Sequence, residues 1–179
     1  MLNQTFAFID VETTGLSTET HEIIELGAVL ARVTDGALEV VDQVDLKVKP
    51  EHIETADQQA LRVNNYDEGA WLFAYTLEEA IKTFAKKTNG AIMIAHNLAF
   101  DYGFISKAFE KTGIANDMHY HKLDTISIAF AKLAGQGDVN KFSLNALCQY
   151  YGIENKRAHS AFSDAYATYE VFKKLMGLK

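Results

Sequence analysis

The chain has 179 residues, 48% of them hydrophobic, which suits one well-buried domain spanning residues 1–179 and leaves little for a second. Its single cysteine, Cys148, excludes an internal disulfide and a multi-thiolate zinc site, and no apolar run reaches the length of a membrane span. The formal net charge of −7 argues against a polyanion gripped by protein charge alone, so such a ligand would need a cation outside the count, for example a bound divalent metal.

Met1–Thr5 lacks the basic start of a secretory signal, and with one cysteine the expectation is a soluble cytoplasmic protein without membrane contact. Gln4–Val11 is apolar on both faces, as a central strand should be. His21–Arg32 and Ala37–Lys49 are rich in β-branched residues and flank Thr34-Asp35-Gly36, a hairpin signal. Pro50–Tyr75 reads as a long polar connection with a short helix. Thr76-Leu-Glu-Glu79 matches a capping box, with Leu77, Ile81 and Phe84 following at helical spacing until Asn89-Gly90.

Ala91–Ala95 is a buried strand. Ala99–Thr112 is a helix with Phe100, Phe104, Ile105, Ala108 and Phe109 on one stripe, closed by Gly113. A short strand near Tyr120–Leu123 leads into a helix from Asp124 or Thr125. Ser143 caps Leu144–Tyr151, where Cys148 reads as a small buried hydrophobe. The last helix runs from about Ser160 to Met176, with Ala165, Thr168, Tyr169, Phe172 and Leu175 on one side. Strands first, then alternating helix and strand, predict an α/β protein with a mixed sheet flanked by helices.

Asp10 and Glu12 sit two apart on a strand, so their carboxylates share a face. Two acids ending an oily strand need a compensating cation, and hard ions such as Mg²⁺ suit carboxylate oxygens. Alone, the pair reads equally well as a solvated strand end. Thr13-Thr14-Gly15-Leu16 offers a tight turn with hydroxyl and amide donors for a phosphate or sugar, or is simply a polar turn. His96-Asn97 follows a strand end, and Asp101 lies in the first turn of the next helix, in the crevice where open sheets bind ligands. By itself Asp101 could be a dipole-satisfying acid.

His159 stands five residues before Asp164, too far for one helix face, so it belongs to the preceding loop. A histidine, whose ordinary pKa is near 6.5, suits proton abstraction from water. Singly, these two residues read as a solvated ring and a surface acid. Together, Asp10, Glu12, Asp101, His159 and Asp164 could form a two-metal site for in-line phosphoryl displacement. Asp10 would bridge the ions, Glu12 and Asp164 would complete one shell, Asp101 would act through water, and His159 would be the general base.

Phe8-Ile-Asp-Val-Glu-Thr-Thr-Gly-Leu16, Ala95-His-Asn-Leu-Ala-Phe-Asp101 and His159-Ser-Ala-Phe-Ser-Asp164 resemble, in order and wording, the three motifs of the DEDDh 3′–5′ exonucleases. That family includes the proofreading subunits of bacterial replicative polymerases. The resemblance implies a ribonuclease-H-like fold with a five-stranded mixed sheet, two Mg²⁺ or Mn²⁺ ions, and release of nucleoside 5′-monophosphates. It implies that Thr13, Thr14, Gly15 and Leu16 contact the terminal nucleotide, that His96, Asn97 and Phe100 line its pocket, and that Asp124 supports the site.

The segment Ala60–Tyr66 departs from the family's usual Val-His-Gly-Ile-like stretch. No polymerase-binding tail follows Lys179, which favours a stand-alone or accessory enzyme, with a DNA polymerase as an alternative partner. The expected substrate is the 3′ end of single-stranded DNA. An exoribonuclease of the tRNA-trimming or oligoribonucleotide-degrading kind would use the same residues, and a silent binding module should have lost at least one of them.

Overall fold

The computed structural model describes residues 4–135, 139, 141–155 and 159–179. Met1–Asn3 and Ala158, which fall in segments read above, lie outside them. The sheet is built around β1 (Thr5–Thr13), with β2 (Ile23–Thr34) antiparallel to it and β3 (Ala37–Lys47) antiparallel to β2. The two-residue turn is Asp35 and Gly36, both at positive φ, the conformation that Asp-Gly accepts at little steric cost. On the other side of β1 lie β4 (Ile92–Ala95) and β5 (Lys122–Asp124), both parallel, giving the order β3-β2-β1-β4-β5.

Six helices accompany the sheet among the described residues: α1 (Gln58–Val63), α2 (Leu77–Thr88), α3 (Leu98–Thr112), α4 (Thr125–Leu133), α5 (Leu144–Tyr151) and α6 (Ala161–Met176). The capping box at Thr76 and Glu79 forms as expected. Period-two alternation divides β1 between two cores. Ala7, Ile9 and Val11 join Ile81 and Phe84 of α2 and Phe104 and Ile105 of α3. Phe6 and Phe8 pack instead on Tyr169 and Phe172 of α6. A third cluster holds α4, α5 and α6 together and buries Cys148, whose thiol is pushed up to about 11 by burial.

The boundaries differ from the sequence reading where the chain enters the site. β1 continues past Val11 to Thr13 because β2 keeps pairing with it through a register shift at Glu12/Thr13. β5 is displaced to end at Asp124, whose side chain caps α4 by accepting from Ile126 N. The long connection folds into α1, capped by Asp57, and a single 3₁₀ turn at Ile53–Thr55. No helix among the described residues is long and apolar enough to cross a membrane.

Candidate active site

Asp10 and Glu12 occupy the same face of β1 as Phe6 and Phe8, so the strand that packs on α6 lower down presents two carboxylates to the start of that helix. What brings α6 so close is Gly27, opposite Asp10 on β2. A Cβ at Gly27 would stand 2.3 Å from the Ala161 carbonyl carbon. A glycine inside a strand is the sequence sign of such an approach.

Glu25, opposite Glu12 and buried, secures the contact. One of its oxygens accepts from Ala161 N at 3.1 Å, and the other meets Lys47 Nζ at 2.9 Å. The Lys47 ammonium lies 3.2 Å from the centroid of Trp71, whose indole N–H donates to Ile24 O. Ser160 makes no side-chain cap. Glu25 therefore binds a free N–H at the start of α6 and holds the helix that carries Asp164. Sequence reasoning did not find it, because the residue it anchors is 136 positions away.

Asp164 lies in the first turn of α6, its two oxygens accepting from the Asn155 amide and from His159 N. Ser163 Oγ donates to Asn155 Oδ1 at 2.8 Å and so orients that amide. His159 is exposed with φ 66, a left-handed conformation that turns the loop into the helix. Ligating atoms of Glu12, His159 and Asp164 fall within 4.8 Å of one another. Asp101 reaches the same place from α3, 2% exposed, and accepts from Val11 N at 3.0 Å.

Burial and the surrounding acids raise these carboxyls. Asp10 is held well above the usual carboxylate range, first by desolvation and then by Asp101, Glu12, Asp164 and Glu25. Glu12 is pushed up to about 8 by burial and by Asp164, Glu25 and Asp101. Asp101 rises to about 7 through burial, although its bond from Val11 N opposes the shift. Among the described residues no lysine or arginine forms an ion pair with Asp10, Glu12, Asp101 or Asp164. Buried and half-buried, mutually repelling oxygens with no described cation among them are a donor set that fits divalent metal ions.

Beside the acids lies a cavity of about 300 Å³, lined by Val11, Glu12, Thr13, Gly15 and Leu16, by Phe100, and by Asp57, Gln59, Ala60, Val63 and Asn64 of the α1 segment. Leu16 is 82% exposed and overhangs it. The α1 segment was read as a long connection with a short helix; its tie to the site is the buried Asn64 amide donating to Thr13 O, and Asp57 N donating to Thr14 O.

The remaining expected contacts are placed differently. Thr14 is fully buried, and its hydroxyl accepts from Glu22 N, so it builds the turn and does not face the cavity. His96 turns its Nδ1 to within 2.9 Å of Thr125 Oγ1, and burial lowers its pKa. Asn97 is exposed at φ 72, and its N–H donates to Asp124 at 3.3 Å. Asp124 thus joins the start of α3 to the start of α4.

Comparison with known proteins decides the family. Residues 7–172 match the exonuclease family represented by RNase T. The chain belongs to this exonuclease family. Its three motifs stand in the DEDDh order. It is 33% identical over 172 residues to the PolC-type DNA polymerase III of Staphylococcus saprophyticus and 31% identical to that of Staphylococcus aureus; both alignments cover 96% of this chain. The chain spans only 11% of the length of these relatives. In fold it is similar to exonuclease I, with a TM-score of 0.81 at 18% identity over 98% of this chain and 41% of that one. Escherichia coli exonuclease I bound to a dT13 oligonucleotide superposes with a TM-score of 0.78 at 17% identity, covering 97% of this chain and 40% of the other. The five-stranded mixed sheet flanked by helices that the motifs implied is the one observed.

Proposed function

We propose that the enzyme removes nucleotides from the 3′ end of single-stranded DNA, releasing nucleoside 5′-monophosphates by a two-metal mechanism with His159 as general base. The observation that carries this reading is the convergence of Asp10, Glu12, Asp101, Asp164 and His159, buried and half-buried acids with no described lysine or arginine paired to them, beside a cavity of about 300 Å³. Two divalent ions, Mg²⁺ or Mn²⁺, held by Asp10, Glu12, Asp101 and Asp164, would neutralise the phosphate and make the attacking water more acidic.

The protein's own residues do the rest. Leu16 and Phe100 flank the terminal base and sugar, while Thr13 and Gly15 form the cavity wall next to Glu12. Thr14, His96 and Asn97 act by shaping the two turns that hold these surfaces. His159, at the exposed rim, takes the proton of the attacking water on a ring nitrogen and passes it to solvent. As the new P–O bond forms, the P–O3′ bond breaks, and the departing oxygen leaves as a 3′-hydroxyl with a proton from solvent. The similarity to PolC-type polymerases favours a DNA polymerase as the working partner.

Matched 5′-labelled DNA and RNA oligonucleotides test the reading. DNA should shorten stepwise from its 3′ end with mononucleotide products. Strong preference for RNA would replace DNA as the substrate, and no hydrolysis of either would remove the reading. His159→Ala should lower turnover by about 10²–10⁴-fold, with metal affinity kept and partial rescue by free imidazole. Unchanged turnover would exclude His159 as the base.

A further inference from the structure

We propose that the β5 edge of the sheet is a track for the single strand that trails 5′ of the reacting nucleotide, with bases stacking on Tyr120 and Tyr102 and the backbone drawn by Lys122. This rests on the exonuclease reading of the adjacent site and adds a second binding surface to it.

The surface begins where the active site ends. Asp101 on α3 belongs to the carboxylate cluster, and Tyr102 is the next residue, 39% exposed. Phe100, lining the terminal-nucleotide cavity, precedes Tyr102 by two residues, about 200° around the helix, so the two rings face opposite sides of the acids. A strand with its 3′ end in the cavity between Leu16 and Phe100 leaves the acids on the Tyr102 side. There it meets β5, beyond β4 in the sheet. Lys122 is in register with Met93 and Asp124 with Ala95, so β5 descends along the outer edge from the mouth of the site.

The chemistry of this edge fits a single-stranded polynucleotide. Tyr120 is 76% exposed, an unusual placement for a large ring. One side of it is supported by His119, stacked at 4.6 Å with 24° between the planes, and by His121 at 4.0 Å. Lys122 Nζ lies 4.5 Å from the centroid of Tyr102 and also donates to the Tyr120 backbone carbonyl at 3.3 Å, so one ammonium ties the Tyr102 ring to the main chain that carries Tyr120.

Between the rings is a depression of about 240 Å³ lined by Met93, Tyr102, Ile105, Asn116, Met118, His119, Tyr120 and Lys122. None of those residues is acidic. That is notable in a chain of net charge −7 with 24 carboxylate side chains, and it contrasts with the Glu- and Asp-lined cavities elsewhere. Stacking rings with a cation in an acid-free depression are the elements of sequence-tolerant single-strand binding, because every base offers a π-face and every linkage a negative charge.

Two substrates separate this surface from the active site. The p-nitrophenyl ester of thymidine 5′-monophosphate fills only the reacting position, whereas a long oligothymidylate also reaches β5. Tyr120→Ala and Lys122→Gln should hydrolyse the small ester at wild-type rates and melt at wild-type temperature. For the long oligonucleotide their KM should rise roughly 5-fold or more with kcat little changed. Lys122→Gln should also flatten the salt dependence of that KM.

If both variants keep the wild-type KM and salt dependence on the long substrate, the track does not exist. If they lose activity on the ester as well, the residues support the active site and the proposal falls equally. Failure of the exonuclease reading would appear separately, as a wild type that hydrolyses neither substrate.

Discussion

Among the described residues, two clusters bring three potential ligands within 4.8 Å: Glu12, His159 and Asp164 at the sheet end, and Glu22, Glu51 and His52 on the surface nearby. In the second, Lys111 Nζ lies 2.7 Å from Glu51 and 3.6 Å from Glu22, and the Glu51 carboxyl falls below its usual range because of that bond. In the first, Glu12 is buried and Asp10 and Asp164 are half-buried, with no described lysine or arginine paired to them, and Glu12 rises to about 8. Equal spacing therefore means different things. Where a described lysine pairs with the acids they form a solvated ion-pair network, and where none does the acids remain a standing demand for metal.

The largest expected difference follows from removing the acid that feels every other carboxylate of the first cluster. Asp10→Ala should lower kcat on the order of 10³-fold or more, the scale of losing a charge-stabilising group at a reacting phosphate. The metal-free variant should melt at or above the wild-type temperature, since a repelling buried charge is gone. Turnover near normal in pure protein would break the two-metal model.

Next comes the dependence of stability on pH. The folded carboxyls of Glu12, at about 8, and Asp101, at about 7, lie above their ordinary values of 4.5 and 3.8. Between those limits the native state holds more protons than the unfolded chain, so stability of the metal-free protein must fall as pH rises from about 4 to about 8. Mg²⁺ or Mn²⁺ binds the deprotonated native form and should restore the melting temperature, most strongly at pH 8. Thermal melts with and without chelator, in wild type and Glu12→Gln, measure this. A flat metal-free profile would show that the first cluster is no more strained than the second.

A smaller effect should mark Glu25. Glu25→Gln keeps an acceptor for Ala161 N but loses the charge that Lys47 pairs with. It should weaken metal binding and turnover together by about 10-fold, the size usual for groups that orient metal ligands. An unchanged metal titration would make Glu25 a plain ion-pair partner. Least of all, Lys111→Gln should leave turnover within about 2-fold and shift stability by under about 1 kcal/mol, as exposed ion pairs do. A large activity loss there would erase the distinction between the two clusters.

Much of this was legible in the chain. The central strand, the Asp35-Gly36 hairpin, the Thr76 box, the helix stops and the five catalytic candidates all rest on residues close in sequence or on ordered motifs. Harder to see was what the connection at 50–75 was for. Its polar composition gives no hydrophobic period, yet Asn64 and Asp57 tie it to the β1 turn and make it a wall of the cavity. Thr14 and His96 carried the opposite lesson. Both stand in site motifs, and both turn inward to Glu22 N and Thr125.

By itself the sequence determined that Asp10 and Glu12 share a face with Phe6 and Phe8, because alternation along a strand is a property of neighbouring residues. It determined too that His159 precedes its helix and that Asp101 opens one. Only the tertiary structure decided that this face meets α6, that Gly27 lets the two backbones touch, and that Glu25 fastens the junction. Those contacts join residues more than 130 positions apart. They follow from how the whole sheet closes against its helices, which no local pattern records.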